Sequence, residues 1–370
     1  MDTFLHPMTT IPRDIVAVAD YEPYARERMP SQVWAWLNGG GADELTLEDN
    51  RAAFRCLRLQ NRILRDLTGG NTRLSLLGDN FDYPILLAPV AFQKLVHPQG
   101  EQATVLGAAA MKAGMVVSTQ ASMALEDIAG AARSPLWFQL YLQSDRGFTR
   151  ELVQRAEQAG YRALVVTVDA PVNGLRNREQ RAGFALPPGI EAVNLRGMPA
   201  APGHHARPGD SPIFGSPLLA SAPRWEDITW LHSVTRLPVV LKGIAAVEDA
   251  LLAADLGVAG IIVSNHGGRT LDGLPATIDA LPAITRAVAG RLPVLLDGGI
   301  RRGTDILKAL ALGASAVLIG RPYMHALAAA GAPGVAHVLH ILRAELEAAM
   351  ALAGCRDLAA IDPSVIWRNT

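Results

Sequence analysis

Eight short, β-rich apolar runs recur between residues 84 and 322, and most are separated by a segment with helical spacing. They are PILLAP (84–89), MVVST (115–119), WFQLY (137–141), ALVVTVD (163–169), PVVLKG (238–243), GIIVSNHG (260–267), PVLLDGG (293–299) and AVLIGRP (316–322). Their cores are apolar throughout rather than alternating, which suits parallel strands covered on both faces. The connecting segments TRELVQRAEQAG (149–160), AVEDALLAADLG (246–257) and TDILKALALG (304–313) carry the helical period and close on glycine. Eight such units over about 240 residues predict an α/β fold, a (β/α)8 TIM barrel. An open doubly wound sheet is the alternative, but the first strand lacks a GxGxxG turn and the strand count favours closure.

Length alone, 370 residues, would suggest two or three domains, but barrels of this class absorb as many in one. Residues 1–370 are therefore expected to form a single domain. Within it, 1–82 is an N-terminal helical cap or bottom plug, 83–330 the barrel, and 331–370 a C-terminal helix and tail. Residues 171–224, rich in Pro, Gly and Ala, make a long loop after strand four. It reads either as a mobile lid over the barrel mouth or as a disordered insertion.

The bulk numbers remove other classes. With 34 basic and 35 acidic residues and no basic tract, nothing supports nucleic-acid binding. Cys56 and Cys355 are far apart and show no metal-ligand spacing, so neither a disulfide framework nor a metal site is expected. The start, MDTFLHPMTTIPRD, has no basic region followed by an apolar one, and no run of about 18 apolar residues occurs. The expectation is a cytoplasmic protein without a membrane span.

Polar residues gather where the strands end. Gln139 and Tyr141, Thr167 and Asp169, Lys242, Ser264 to His266, Asp297, Gly320 and Arg321 all fall at carboxyl ends. That is the face on which barrel enzymes carry their sites. Gly298, Gly299 and Gly320, with Arg301 and Arg321, suit an anion at the loops after strands seven and eight, the common phosphate site of such barrels. Tight turns are the plainer reading of the glycines. Asp297 suits a hydroxyl better than a phosphate, and Lys242 can present a fixed charge to an electron-rich ring. His266 is not isolated: Asp169 can orient and stabilise its imidazolium, as a general base requires. Arg269 and Arg176 can grip a carboxylate in a bidentate fork. For Arg176 an ordinary exposed loop arginine is nearly as good a reading.

SNHGGRTLDG (264–273) resembles the signature of the FMN-dependent α-hydroxy-acid oxidases and dehydrogenases, the glycolate oxidase, lactate oxidase and mandelate dehydrogenase type. The resemblance runs from about Asp20 to Arg356 and includes NRAAF (50–54), LLAPVAFQKLVHPQGE (86–101), LDGGIRRGTDILKALALGASAVLIGRP (296–322) and LAGCRDL (352–358). It implies FMN as cofactor and oxidation of an (S)-2-hydroxy acid to the 2-oxo acid, with oxygen or a quinone as acceptor. His266 would take a proton as the α-hydrogen passes to flavin N5, by a hydride or a carbanion route, and Asp169 would support the imidazolium. Arg269 and Arg176 would bind the carboxylate and Tyr141 the reacting end. Pro89, Val90, Ala91, Ser118, Gln139, Thr167 and Ser264 would line the isoalloxazine, with Lys242 at its N1/O2 edge. Asp297, Gly298, Gly299, Arg301, Gly320 and Arg321 would hold the ribityl phosphate. The family also implies a homotetramer.

Two positions depart from the family pattern. Trp36 stands where a tyrosine hydroxyl usually meets the substrate carboxylate, and Gln120 where glycolate-oxidase-like members carry an aromatic. Both belong to the expected substrate pocket. Ala91, where some dehydrogenases have Gly, leans towards an oxidase. An FMN barrel of the isomerase type should lack the His266–Arg269 pair beside Asp169. A flavin-binding barrel without turnover would not require that set.

Overall fold

The computed structural model of the chain describes residues 5–198, 209–214, 219 and 222–367. An N-terminal segment carries three helices, α1 (Tyr21–Arg26), α2 (Ser31–Asn38) and α3 (Leu45–Cys56), then a hairpin of β1 (Leu74–Leu76) and β2 (Asp79–Phe81). Eight parallel strands follow: β3 (Ile85–Leu87), β4 (Gly114–Ser118), β5 (Leu136–Leu140), β6 (Leu164–Thr167), β7 (Val239–Ile244), β8 (Gly260–Val263), β9 (Val294–Leu296) and β10 (Ala316–Ile319). Each pairs with its neighbour in sequence, and β10 returns to β3, closing the barrel. This is the (β/α)8 barrel expected from the apolar runs, with each run placed on a strand.

Closure sorts side chains by parity, because successive residues of a strand face opposite sides. Leu86, Val116, Val165, Val240, Ile262, Leu295 and Leu318 meet inside the barrel. Their neighbours Leu87, Val117, Val166, Leu241, Ile261 and Leu296 join the outer core beneath the helices. Both sets are almost fully buried, each such side chain stabilising the fold by about 1.5–3 kcal/mol. Leu76 and Phe81 of the hairpin join the inner cluster, and Phe81 meets Trp137 edge-on with ring centroids 6.4 Å apart. The hairpin thus plugs the amino end of the barrel, while α2 and α3 reach the carboxyl end. The N-terminal segment supplies both a plug and part of the mouth.

The connecting helices include α4 (Gly100–Ala110), α5 (Leu125–Ala131), α6 (Arg146–Gln158), α7 (Asn177–Arg181), α8 (Trp225–Val234), α9 (Val247–Asp255), α10 (Thr277–Val288) and α11 (Gly303–Ala311). Asp145 caps α6 by accepting from the amides of Gly147 and Phe148, relieving donors the helix cannot satisfy itself. The last helix, α12 (Arg321–Ala353), has non-helical backbone at Ala330 and Gly331 and so consists of two helices run together. It is long and apolar enough to cross a membrane, but 72% of its most apolar window is buried inside the protein. A core helix passes the same test.

Of the long loop expected at 171–224, residues 199–208, 215–218, 220 and 221 lie outside the described residues. Its first part contains α7, a 3-10 turn at Val193–Leu195 and irregular chain over the mouth.

Candidate active site

A cavity of about 690 Å³ opens at the carboxyl end of the barrel. Its wall includes Trp36, Pro89, Val90, Ala91, Ser118, Gln120, Gln139, Tyr141, Thr167, Arg176 and Lys242. His266, Arg269, Asp297, Gly298, Gly299, Arg301, Gly320 and Arg321 complete the sequence-predicted set on that wall. Asp169 and Ser264 are absent from the wall. They stand directly behind it, in hydrogen-bond contact with His266 and Lys242 of the wall.

The His266 loop is built to aim one ring. β8 stops at Val263, and His266, Gly267 and Gly268 then take positive φ values of 57°, 65° and 73°. Histidine tolerates the left-handed region better than most side chains. A Cβ at Gly268 would lie 2.6 Å from the Leu47 amide nitrogen, so α3 requires glycine there. Asn265 and Asn50 exchange side-chain hydrogen bonds of 2.9 and 3.0 Å, tying the loop to α3. Asp272 accepts from the amides of Asp43 and Thr46. The result is a backbone fixed at both ends, with His266 Nδ1 2.9 Å from Asp169 Oδ1.

Burial alone would raise the Asp169 carboxyl. The His266 charge and hydrogen bond, with Lys242 behind them, outweigh burial and hold it below the usual carboxylate range. Asp169 holds the ring through Nδ1, and His266 lines the cavity, where it can receive a proton from a bound group. The Tyr141 phenol is pushed up mainly by burial, against the lowering effect of Lys242, and remains a hydroxyl donor at neutral pH.

Lys242 is deep in the wall, donating to Ser264 Oγ at 2.8 Å and pairing with Asp297 Oδ2 at 2.9 Å. Ser264 Oγ also accepts from the His266 amide at 3.1 Å. Ser264 Oγ thus braces both Lys242 and the His266 loop by accepting from each, which leaves its own O–H to donate. Despite desolvation, Asp297 and Asp169 raise the Lys242 ammonium above its ordinary value, so it stays charged. Across β4, β5 and β6, Gln139 accepts from Ser118 Oγ at 3.2 Å and donates to Thr167 Oγ1 at 3.0 Å.

Three guanidiniums converge on one side. Arg269 donates to the carbonyls of Trp36 at 2.7 Å and Gly39 at 2.8 Å, and Arg321 to those of Leu37, Gly39 and Gly267. Arg301 donates to the Ile300 carbonyl at 2.8 Å. Burial, reinforced by the neighbouring arginines, lowers all three, Arg269 and Arg301 to about 10. So much positive charge out of water calls for an anion.

The glycines divide in their reasons. A Cβ at Gly299 would sit 1.9 Å from the Asn50 carbonyl, so packing against α3 accounts for that residue. One at Gly320 would meet only Ala88 Cβ, at 3.9 Å. Protein packing does not demand glycine at Gly320. The open space lies beside the first turn of α12, whose first amides have no intrahelical acceptor and suit an anion.

The chain matches the family model described as FMN-dependent dehydrogenase over residues 25–368. It belongs to that family. An L-lactate oxidase of Nostoc sp. is 49% identical over 353 residues, 94% of this chain and 96% of that protein. Glycolate oxidase 3 of Arabidopsis thaliana is 43% identical, covering 94% and 95%. Among solved structures, mandelate oxidase with benzoyl-formic acid superposes with a TM-score of 0.86 at 43% identity, covering 95% of this chain and 98% of that one.

The chain is thus an FMN-dependent oxidoreductase, and its residues fit the cofactor. Asp297 Oδ1 is a buried acceptor with no partner among the described residues, suited to a ribityl hydroxyl. Arg301, Arg321 and the Gly320 turn suit the phosphate, and Lys242 brings its charge to the cavity wall.

Sequence reasoning missed several contributors. Phe184 stacks on Trp36 at 5.7 Å and Phe92 tilts against it at 6.4 Å, forming an aromatic wall with Arg269 over the indole at 5.9 Å. Nothing in the local pattern marks either Phe. Glu179 also lines the cavity. Its position three residues after Arg176 on a short helix was the available signal.

Proposed function

We propose that the protein oxidises a small (S)-2-hydroxy acid to the 2-oxo acid and passes the electrons to oxygen. The observation that carries this reading is the His266–Asp169 pair, 2.9 Å apart, opening onto the same cavity as Arg176, Arg269 and Tyr141. Bound FMN would supply the two-electron acceptor. His266 takes the proton of the substrate hydroxyl, and Asp169 stabilises the imidazolium that results. Arg269 and Arg176 hold the carboxylate and Tyr141 donates to the oxygen at the reacting carbon. Ser264 faces the cofactor ring and also fixes Lys242 and the His266 amide.

For the cofactor, Pro89, Val90, Ala91, Ser118, Gln139 and Thr167 line the ring, with Lys242 at its edge. Asp297 accepts from a ribityl hydroxyl, and Gly298, Gly299, Arg301, Gly320 and Arg321 receive the phosphate end. Trp36 and Gln120 wall the space for the substrate's side chain. Leu186, Leu195 and Met198 of the loop after β6 also line the cavity, which supports a lid. The names of the lactate, glycolate and mandelate oxidases support oxygen over a quinone and a substrate in that size range.

The test is anaerobic bleaching of the flavin by a panel of 2-hydroxy acids, from glycolate to mandelate, followed by air. Bleaching by one class and rapid return of colour with hydrogen peroxide is the expected result. A yellow protein that none of them bleaches would overturn the reading, and slow return of colour would overturn the oxidase assignment.

A further inference from the structure

The two guanidiniums assigned to the substrate carboxylate already share a carboxylate. Glu179 Oε2 lies 3.3 Å from Arg176 Nη1 and 3.8 Å from Arg269 Nη2. Arg269 spends its other terminal nitrogen on the carbonyls of Trp36 and Gly39, so Nη2 is the nitrogen left for an anion. Arg176 Nε is buried with no partner among the described residues. One terminal nitrogen of each guanidinium faces the same place, and a single oxygen of Glu179 stands there.

The helix that carries Glu179 is anchored independently. On its outer side Arg178 pairs with Glu44, and Asn177 Nδ2 donates to Asp43 Oδ1 at 3.4 Å. α7 can therefore stay in place while the Glu179 side chain rotates. That side chain is 22% exposed, so water is within reach when it turns out.

From this geometry we infer that Glu179 is a resident competitor for the substrate-carboxylate subsite, occupying the arginine pair in the free enzyme and displaced when a monocarboxylate binds. The inference rests on the reading that Arg176 and Arg269 receive the substrate carboxylate. Two carboxylates on one oxygen site repel each other, so entry of the substrate and exit of Glu179 are coupled. Between turnovers Glu179 offsets the mutual repulsion of Arg176 and Arg269. Once displaced it leaves a negative charge at the rim, which penalises a substrate carrying a second carboxylate. Glu179 is thus a specificity-determining residue that never touches the reacting atoms.

Glu179→Gln in the FMN-loaded enzyme tests this, since the amide keeps the shape and removes the charge. Pyruvate binding, read from the perturbation of the flavin absorbance without turnover, is the first measurement. We expect its Kd to fall about tenfold, the scale of one charge-assisted hydrogen bond. The KM for the reducing 2-hydroxy acid should fall with it, kcat should move less than twofold, and discrimination against malate should shrink. Glu179→Asp, still anionic, should stay nearer the parent. Unchanged or weaker pyruvate binding in Glu179→Gln would overturn the inference, the weaker case making Glu179 a support for Arg176. If both forms bind pyruvate as expected but no 2-hydroxy acid bleaches the flavin, the proposed reaction fails while the competitor stands. If Arg176→Lys leaves pyruvate affinity unchanged, the subsite is wrong and the competitor falls with it.

Discussion

Asp169→Asn separates the charge at the heart of the site from its geometry. The Asn amide oxygen can still accept from His266 Nδ1 across the 2.9 Å now spanned by Asp169 Oδ1. What disappears is the negative charge opposite an imidazole that becomes cationic during the reaction. A net hydrogen bond to a charged group contributes about 1.5–3 kcal/mol, while the bare Coulomb term at this separation has an upper bound of about 6 kcal/mol at an effective dielectric of about 20. With about 1.4 kcal/mol per factor of ten, flavin reduction should slow by roughly 10- to 100-fold if only the charge assistance of that hydrogen bond is lost, and by at most about 10⁴-fold. The substitution exchanges Asp169 Oδ2, which has no partner among the described residues, for an NH2 in the same place. Stopped-flow anaerobic reduction at saturating substrate reads the rate, and flavin content and thermal melting read the fold. A loss below threefold with full flavin content would refute the role given to the pair, because no other carboxylate lies against His266 among the described residues.

His325 is buried against Asn38 and, chiefly by desolvation with Arg301 and Arg321 nearby, is lowered to about 3. Its depressed value means the unfolded chain binds a proton that the folded one refuses, so stability falls as pH drops through the ordinary histidine range. Between pH 7 and pH 5 this one group should cost about 2 kcal/mol, and His325→Gln should flatten that limb in denaturant titrations. An unchanged slope would contradict the neutral buried imidazole. Removal of FMN should expose the repulsion between Arg301 and Arg321. Millimolar inorganic phosphate should then raise the melting temperature of the flavin-free protein more than equal chloride does, and equal effects would argue against a phosphate subsite. Trp36→Ala should cost about 3–5 kcal/mol by leaving Phe92 and Phe184 without their partner. It should also shift the preferred hydroxy acid to a bulkier one in the bleaching panel; an unchanged preference would remove Trp36 from the substrate wall.

What could be read from the chain follows from how local each signal is. A parallel strand covered on both faces needs an apolar run and nothing else, so all eight barrel strands were visible from composition along short windows. The polar residues that end those strands were visible for the same reason: an apolar run that stops at Lys242 or at Ser264–His266 marks the point where a buried strand meets a polar mouth. Contacts between distant segments left no such mark. That Ser264 turns its hydroxyl to Lys242 and the His266 amide depends on the 22-residue separation closing across β7 and β8. Gly299 looked like a phosphate turn, and only the approach of Asn50 from α3 shows a packing reason for it. Glu179 was hidden differently. An acid three residues from an arginine is an ordinary helix-surface pair, and its meaning changes only when Arg269, 90 positions on, arrives at the same oxygen. Sites assembled from strand ends are legible because the barrel fixes where ends go. The residue that competes for such a site can lie on a loop whose path the strand pattern leaves open, and here that residue is the one expected to tune affinity.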